Sequence, residues 1–497
     1  MQTSYIEYIV ILLYFVFMIA TGVLFRRFNR NFSDYFRSGC RGTWWMVGAS
    51  VFMASFTAWS FTGAAGAAYT SGISVAIIFL ANASGYLINA LFTAPIFRQM
   101  RATTGPEIIR QRFNTFTQQF YVWVGMIPGI MTASLTLWST ALFTSAVFGY
   151  NLQTLIIIIG LVVMIYSVLG GSWSVMANDF LQALILIPMS ILVTWLSLQL
   201  IGGWSGLVME IHRQNLPDLL NMIDRHSPGS QFTFPWALAM FVFVLMAYNS
   251  AGSATKYFAC KDGKEARKAA FLACILMFAG AALWFIPPMV ARLKMAGLVD
   301  SSHFIGIKNS AEASYAILAM KLLPVGLTGM LVIAMFSATM SSLAPGLNQF
   351  AAIMTQDVYK PFIRPKSDEK EIFLVGQIAS FFIGFAYIGF ALYFSRQQGT
   401  GLFDKMLQYG SIFGTPTTIP LFMMLFVRKA PRWAAISSMA FSIPISVMAF
   451  MKKWPFQDTI MGYTIDPRVI KFVTEWPYPK TVFIITIMGI LGYLFSM

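Results

Sequence analysis

The stretch 326–346, GLTGMLVIAMFSATMSSLAPG, combines two patterns within one predicted helix. Its first half is almost entirely apolar and suits contact with lipid. Its second half carries four hydroxyl groups, and a proline follows them at position 345. In a membrane, an interrupted helix is tolerated where it contacts protein or lines a cavity. The stretch therefore indicates a membrane protein with a polar site inside the bilayer.

The composition of the whole chain agrees with a membrane location. Of the 497 residues, 57% are apolar and 11% are charged, and the mean hydropathy is +0.68. A helix needs about 20 mainly apolar residues to cross the hydrocarbon core, and roughly thirteen stretches meet that need. We therefore predict an all-α membrane protein with about 13 transmembrane helices. The predicted spans are 5–25, 45–70, 74–97, 118–148, 152–170, 179–201, 234–256, 269–293, 324–345, 372–394, 405–427, 433–451 and 481–497.

The net charge of +15 is distributed as in an oriented membrane protein. Most Lys and Arg residues lie between spans, with clusters at 26–41 and 256–268, and such clusters favour the cytoplasmic side. This pattern predicts an outer N-terminus and a cytoplasmic C-terminus in a multi-pass protein of the bacterial inner membrane, with no nucleic-acid partner. The first apolar run has no basic region before it, so it is interpreted as a retained span rather than a signal peptide.

The sequence offers little machinery for catalysis. The three cysteines suggest no disulfide framework, and the three histidines fall in predicted outer loops, so no intramembrane metal cluster is expected. Without paired buried carboxylates or a Ser/His/Asp set, hydrolysis has no visible residues, and the chain is predicted not to be an enzyme. The cysteines and histidines are Cys40, Cys260, Cys274, His212, His226 and His303.

Asp179 is the acidic residue that falls within a predicted span. An ionisable residue in a membrane is costly and is a functional candidate by default. Two interpretations are left open: Asp179 takes part in ion coupling, or it caps the helix that starts beside it, where a carboxylate suits the positive end.

A polar transport site forms where membrane helices break and free their backbone carbonyls. Three segments are predicted to be breakable: 49–72, with Gly63 and Gly66 able to relax the backbone, 247–258, and the opening stretch around 337–346. The first two segments belong to the second and the seventh predicted spans, which are five apart along the chain. This spacing predicts two five-helix units of opposite membrane orientation.

Six segments resemble, in order, the landmarks of the sodium:solute symporter family. Individual pieces are weak, but the ordered set covers roughly residues 30 to 430. The resemblance implies the LeuT-type fold, a 5+5 inverted repeat with one extra N-terminal and two extra C-terminal helices. The segments are DYFRSGCRGTWWMVGASVF (34–52), SGYLINALFTAPIFRQMRATTGPEIIRQRFN (84–114), YSVLGGSWSVMANDFLQA (166–183), GGWSGL (202–207), KYFACKDGKEARKAA (256–270) and MSSLAPGLNQFAAIMTQDVYKPF (340–362).

The family plan divides the chain into five parts. They are 1–44, the extra helix and a cytoplasmic loop; 45–201, the first repeat; 202–233, an outer connection; 234–427, the second repeat; and 428–497, two C-terminal helices with an outer loop. The outer segments 202–232 and 452–480 have no assigned role.

The resemblance also implies a sodium site between core helices 1 and 8. Its ligands would be the carbonyls of Met53, Phe56 and Ala338 and the hydroxyls of Ser341 and Ser342. A hard monovalent cation suits such neutral oxygens. The alternative from the residues alone is that the two serines bond to the preceding turn or join helices.

Some relatives bind a second sodium with the aspartate that matches Asp179 and with two hydroxyls after the Ser-Ser-Leu step. Here those two positions are Ala344 and Pro345, which lack side-chain oxygens. One sodium per cycle is therefore expected. Proline also removes a backbone donor and frees a carbonyl one turn earlier, around Ser341.

The expected substrate pocket lacks a full charge, which favours a neutral polar solute such as a sugar or polyol. The chain is thus interpreted as a sodium-coupled importer working by alternating access, with sodium and the solute as ligands, the lipid bilayer as its surroundings and no obligate protein partner. A solute sensor that retains the transporter shell, and a symporter for an amino acid or small carboxylate, remain as alternatives. The pocket candidates are Trp59, Ser60, Asn82, Tyr86, Asn89, Tyr248, Asn249, Ser250, Tyr409 and Ser411.

Overall fold

The computed structural model describes residues 5–25, 40–102, 104–223, 231–301, 309–397, 401–451 and 478–497. In these ranges the chain is helical and contains no β-strand, apart from an isolated backbone bridge between Gly42 and Cys260. The predicted cytoplasmic loop at 26–39 and most of the predicted outer loop at 452–480 lie outside the described residues.

Eighteen α-helices are found in the described ranges, together with shorter 3-10 and π-helical segments. They are α1 (Tyr5–Phe25), α2 (Trp44–Ser55), α3 (Gly63–Ser71), α4 (Ala76–Ile88), α5 (Ala94–Gln99), α6 (Gly105–Arg112), α7 (Thr115–Phe148), α8 (Leu152–Ile201), α9 (Gly203–Arg213), α10 (Phe234–Tyr248), α11 (Gly263–Ser301), α12 (Ser314–Leu322), α13 (Leu327–Ile353), α14 (Glu369–Arg396), α15 (Leu402–Gln408), α16 (Gly414–Phe426), α17 (Ala434–Met451) and α18 (Tyr478–Phe495).

Several helical stretches suit a membrane. Within the described residues, 7 helical stretches are long and apolar enough to cross it, or up to 8 if the bent pair Phe234–Tyr248 and Ala251–Ala259 is one span. Other predicted spans correspond to shorter apolar helices at Trp44–Ser55, Leu152–Ser167 and Ala434–Ala449. The all-helical membrane architecture is confirmed, whereas the count of thirteen and the 5+5 repeat stay predictions.

The first core helix breaks inside the predicted segment 49–72. Helix α2 ends at Ser55, the backbone is extended at Phe56 and Thr57, and a short 3-10 turn at Ala58–Phe61 precedes α3. The Thr57 hydroxyl accepts a hydrogen bond from the Trp59 N–H at 3.3 Å and so caps this turn. Because Thr57 is extended, the Met53 carbonyl accepts a hydrogen bond from the Phe56 N–H at 3.3 Å instead of a regular α-helical one, and its second lone pair is open to another partner.

The glycines of this segment serve a purpose other than the expected one. Gly63 and Gly66 lie in helix α3, away from the extended residues, so they do not relax the backbone at the break. A Cβ at Gly66 would lie 3.1 Å from the backbone nitrogen of Glu312, and one at Gly63 would lie 3.1 Å from the backbone nitrogen of Phe403. Both glycines therefore permit close packing of α3 against neighbouring segments.

The second predicted break is also present. Helix α10 ends at Tyr248, Ser250 is extended, and the chain continues as a 3-10 helix at Ala251–Ala259 that is bent by 50° from α10. The third predicted break is wrong, because α13 runs through 337–345 as a continuous α-helix with Pro345 inside it. Pro345 has no N–H and therefore cannot bond to the Ser341 carbonyl. The loss of this one hydrogen bond does not interrupt the helix.

Helix α8 covers the two predicted spans 152–170 and 179–201. The Asn178 amide donates to the Tyr166 hydroxyl at 2.5 Å. Twelve residues of straight helix would separate the two positions by about 18 Å, which exceeds the reach of these side chains. The helix therefore bends between Tyr166 and Asn178.

The extra N-terminal helix α1 packs on α13. The Glu7 carboxylate accepts hydrogen bonds from the N–H groups of Gly326, at 2.8 Å, and Gly329. Further along, the Tyr14 hydroxyl is 2.7 Å from that of Ser337. An anion at a helix N-terminus satisfies unpaired N–H groups and the helix dipole, so Glu7 stabilises the start of the hydroxyl-bearing helix.

Candidate functional site

A cavity of about 550 Å³ lies in the middle of the helical bundle. Its walls come from the break after α2, from α4, α7, α10, α13 and α14, and from the 409–414 region. Among the described residues that line it, none is an Asp, Glu, Lys, Arg or His. The space is large enough for a small organic molecule and presents hydroxyl, amide and aromatic groups without a charge.

A second cavity of about 230 Å³ lies beside the bent segment Ala251–Ala259 and includes Lys256 in its lining. The two cavities share Ala54, Ser55, Ser342 and Gly346. They therefore meet at the break in the first core helix and at the Ser342 position of α13.

The predicted pocket residues fall into three groups. Four line the larger cavity, three line the smaller one, and the other three are in neither lining. Asn249 is fully buried, and its amide bonds to Gly85, Leu245 and Thr93. In order, the groups are Trp59, Asn82, Tyr409 and Ser411; Tyr86, Asn89 and Tyr248; and Ser60, Asn249 and Ser250.

The larger cavity also contains residues that sequence reasoning missed. Thr132 and Thr136 of α7 and Tyr387 of α14 all contribute to its wall. The Tyr387 hydroxyl is buried without a hydrogen-bond partner among the described residues. The signal for the threonines was their spacing of four in MTASLTL, which places both on one face of a helix.

One of the five predicted sodium ligands, Ser341, lies within hydrogen-bond distance of two others. The Ser341 hydroxyl donates to the Met53 carbonyl at 3.0 Å and to the Ala338 carbonyl at 2.8 Å. Ser341 is 1% exposed, so this cluster is shielded from solvent. The oxygens of the broken helix and of α13 are thus brought together by the fold.

The other two predicted ligands make different contacts. The Ser342 hydroxyl donates to the Thr339 carbonyl at 2.9 Å, in its own helix, and faces both cavities. Phe56 is the extended residue that ends α2, and its ring packs against Trp284 with centroids 3.9 Å apart. The ring contact holds the backbone of the break in place.

Asp179 is buried at 1% exposure and bonds to two other segments. Its carboxylate accepts a hydrogen bond from the Ser50 hydroxyl of α2, and its Oδ2 lies 3.5 Å from the Lys256 ammonium. Lys256 in turn donates to the Ser50 hydroxyl at 2.8 Å. These contacts link Asp179 to α2 and to the bent segment. The capping alternative is wrong, because Asp179 lies in the interior of α8, whose N-cap is Asn151.

At the end of the bundle predicted to face outward, Trp59 and Glu312 pack against the 402–403 segment. The Trp59 indole stacks on the Phe403 ring with centroids 5.6 Å apart at 14°. Beside it, Glu312 is 3% exposed and accepts a hydrogen bond from the Leu402 N–H at 2.6 Å. Burial raises the pKa of Glu312 from 4.5 to about 7, against the opposing effects of the Leu402 N–H and Lys405. These residues, Trp59, Glu312, Leu402 and Phe403, cover the larger cavity where Trp59 lines it, and we call them the roof.

Metal centres built from charged side chains are not seen in the described ranges, where no group of three or more His, Cys, Asp and Glu comes together. The described cysteines, Cys40, Cys260 and Cys274, are free thiols in the structure.

Comparison with known proteins identifies transporters throughout. The model of the sodium:solute symporter family matches residues 35–441. The sodium/glucose cotransporter of Vibrio parahaemolyticus is 28% identical over 487 residues, covering 93% of this chain and 88% of its own. Sodium/glucose cotransporter 2 of Rattus norvegicus is 26% identical, with 87% of this chain and 70% of the relative covered. Sodium/myo-inositol cotransporter 2 of the same species is 25% identical, with shares of 89% and 69%.

Solved structures support the same fold. A Na+-coupled sialic acid symporter in a substrate-bound outward-open state has a TM-score of 0.77 and 19% identity, and it covers 100% of this chain and 99% of its own. A nucleobase-cation-symport-1 family transporter in a closed conformation has a TM-score of 0.56 and 14% identity, with shares of 94% and 95%. The relatives are transporters rather than enzymes, and the family model spans most of the chain. The chain therefore belongs to the sodium:solute symporter family.

Proposed function

We propose that this chain imports a small neutral polar solute, of the sugar or polyol class, together with one sodium ion. The observation that carries the proposal is the uncharged cavity of about 550 Å³, which meets the oxygens of the predicted sodium site at Ser342. A solute in this cavity would lie next to the ion. The printed names of relatives, glucose and myo-inositol cotransporters, favour the same solute class.

The sodium ion would occupy the oxygen cluster between α2 and α13. In that role the Ser341 hydroxyl, which now donates to the Met53 and Ala338 carbonyls, would turn its lone pairs toward the cation. The carbonyls of Met53, Phe56 and Ala338 and the hydroxyl of Ser342 would complete the ligand set. Neutral oxygens suit a hard cation whose single charge needs little compensation.

Coupling follows if both ligands prefer the same arrangement of the bundle. Sodium bridging α2 and α13 would steady the break that forms one wall of the solute cavity. Sodium should then raise the affinity for the solute, and the solute should raise the affinity for sodium by the same factor. Opening and closing at Trp59 and Phe403 would give alternating access from the outside.

The protein would act in the bacterial inner membrane with its N-terminus outside and its C-terminus in the cytoplasm. In that orientation, the roof at Trp59 faces outward and the smaller cavity beside Lys256 faces the cytoplasm. The closed roof then corresponds to an arrangement that releases solute inward.

The test is uptake into proteoliposomes of purified protein, with a panel of labelled sugars, polyols, amino acids and small carboxylates, driven by sodium or by potassium gradients. We expect a sodium-specific signal for a neutral polyhydroxy solute. Uptake of a carboxylate or amino acid instead would contradict the solute class. Binding of a solute without accumulation would instead identify a sensor.

The site assignment is tested by Ser342→Ala. Losing one ligand to a charged group costs about 1.5–3 kcal/mol, so we expect at least a roughly tenfold rise in the sodium concentration for half-maximal uptake. Ser380→Ala is the matched control, because the Ser380 hydroxyl also bonds one turn back, to the Gly376 carbonyl at 3.0 Å, but in α14. Unchanged sodium dependence in Ser342→Ala would remove this assignment.

A further inference from the structure

The buried carboxylate of Asp179 already has a cation beside it. The Lys256 ammonium lies 3.5 Å from Asp179 Oδ2 and 2.8 Å from the Ser50 hydroxyl, which also donates to Asp179. The three side chains come from three segments, namely α8, α2 and the bent stretch Ala251–Ala259. They form a closed polar cluster that we call the Asp179 triad.

The triad places a counter-charge beside the buried Asp179 carboxylate. A carboxylate that is 1% exposed cannot keep its charge without a counter-charge, because the loss of hydration costs several kcal/mol. In a protein that binds sodium, a free cation can supply this counter-charge. Here the counter-charge is the ammonium of Lys256, which is attached to the chain and cannot diffuse away. Its side chain is 24% exposed and lines the smaller cavity.

The position of the triad makes this charge relevant to ion binding. Lys256 lines the cavity that shares Ser342 with the larger one. A sodium ion released toward that side would pass close to the carboxylate. With its own ammonium in place, the carboxylate offers no unbalanced charge to a second ion.

We propose that Lys256 serves as a tethered cation for Asp179 and thereby limits the transporter to one sodium ion per solute. The inference rests on the proposed function and deepens it, because it assigns the ion stoichiometry to a particular residue. Removing the ammonium while keeping the carboxylate should let a second sodium ion bind at the Asp179 carboxylate and the Ser50 hydroxyl, which would take the place of the hydroxyls that positions 344 and 345 lack. Removing both should restore a single site.

The experiment compares wild type with Lys256→Ala, with Lys256→Arg and with the double variant Asp179→Asn/Lys256→Ala. The readout is the ratio of labelled sodium to labelled solute taken up by proteoliposomes, together with the steepness of the sodium dependence. We expect a ratio of about one in wild type, in Lys256→Arg and in the double variant, and about two in Lys256→Ala. Lys268→Ala is the surface control. The Lys268 side chain is 60% exposed, and its ammonium lies 3.4 Å from the Glu265 carboxylate in the same helix.

Sodium-dependent thermal stabilisation of the purified variants gives a second measurement that does not need transport. The sodium titration should become steeper in Lys256→Ala and return to the wild-type shape in the double variant. An unchanged titration in Lys256→Ala, or a ratio of two in wild type, would overturn the inference while leaving sodium coupling intact. Wild-type uptake that ignores sodium would overturn the proposed function and this inference together.

Discussion

We expect closure of the end that is predicted to face outward to depend on the absence of a side chain at Gly66. In the structure, a Cβ at this position would lie 3.1 Å from the Cα, Cγ and backbone nitrogen of Glu312. Two of these are backbone atoms, and Glu312 is itself held by the Leu402 N–H. The neighbour therefore cannot yield as easily as the end of a flexible side chain.

The magnitude follows from packing. Gly66 lies within α3, so alanine fits its backbone and even favours the helix by up to about 1 kcal/mol. Inserting a methyl group into a filled contact costs about 1–3 kcal/mol. The cost applies in the arrangement where α3 packs on the Ser310–Ala313 turn, so Gly66→Ala should shift the population toward the outward-open arrangement by about 5- to 150-fold.

The assay measures access to the site from the closed side. A cysteine replaces Thr136, which lines the larger cavity and is 4% exposed, in a background where the three native cysteines are removed. The rate at which a polar thiol reagent modifies this cysteine in purified protein should rise with Gly66→Ala, in proportion to the open population. Solute uptake should fall, because closing the roof becomes the costly step.

Gly389→Ala is the matched control, since Gly389 is also in a long helix and a Cβ there meets no atom within 4 Å. It gains the same helix propensity without the contact. An unchanged labelling rate in Gly66→Ala, or an equal rise in Gly389→Ala, would refute the packing argument.

Two further predictions concern stability. Because burial raises the pKa of Glu312 from 4.5 to about 7, the native state keeps this proton in a pH range where the unfolded chain has lost it. The free energy of unfolding should therefore fall by up to about 3 kcal/mol as pH rises from about 4.5 to about 7, and Glu312→Gln should flatten that slope in thermal unfolding. A slope unchanged by this substitution would contradict the assignment. Trp284 is 1% exposed and packs among Phe52, Phe56 and other rings. Changing it to alanine should lower the free energy of unfolding by about 3–5 kcal/mol, as measured by denaturant unfolding in detergent. The control Phe278→Ala, at a side chain of α11 that is 65% exposed, should lower the free energy of unfolding far less, and equal losses would argue against a shared aromatic core.

Both breaks near the start of the two predicted repeats were predictable from composition. Small and hydroxyl residues interrupt the apolar pattern at 49–72 and 247–258, and each segment contains an extended residue, at Phe56 and at Ser250. The prediction of a break at 337–345 was wrong. The same residue types there lie in a continuous helix that neighbouring helices contact through hydrogen bonds. The Thr339 hydroxyl bonds to Thr140, and the Ala344 carbonyl accepts from Ser167.

The partners of buried charges were not predictable. Asp179 was recognised as a candidate because it falls in an apolar span, but Lys256 was assigned to a basic cytoplasmic cluster. Glu312 was assigned to a loop, yet it is 3% exposed. A sequence pattern reports whether a residue lies near lipid or water along one helix, and it does not report which distant segment covers that residue.

The sequence by itself determined the membrane class, the family, the position of two helix breaks and the candidate oxygens around Met53 and Ser341. These features follow from local composition and from ordered motifs, because a break or a hydroxyl pair is a property of a few adjacent residues. The tertiary structure decided how they combine: which cavity each pocket residue faces, that Gly66 allows close packing instead of bending, and that Asp179 pairs with Lys256. Those outcomes depend on helices that are distant in the chain meeting at a few ångströms, where a single methyl group or charge changes the energy of the contact.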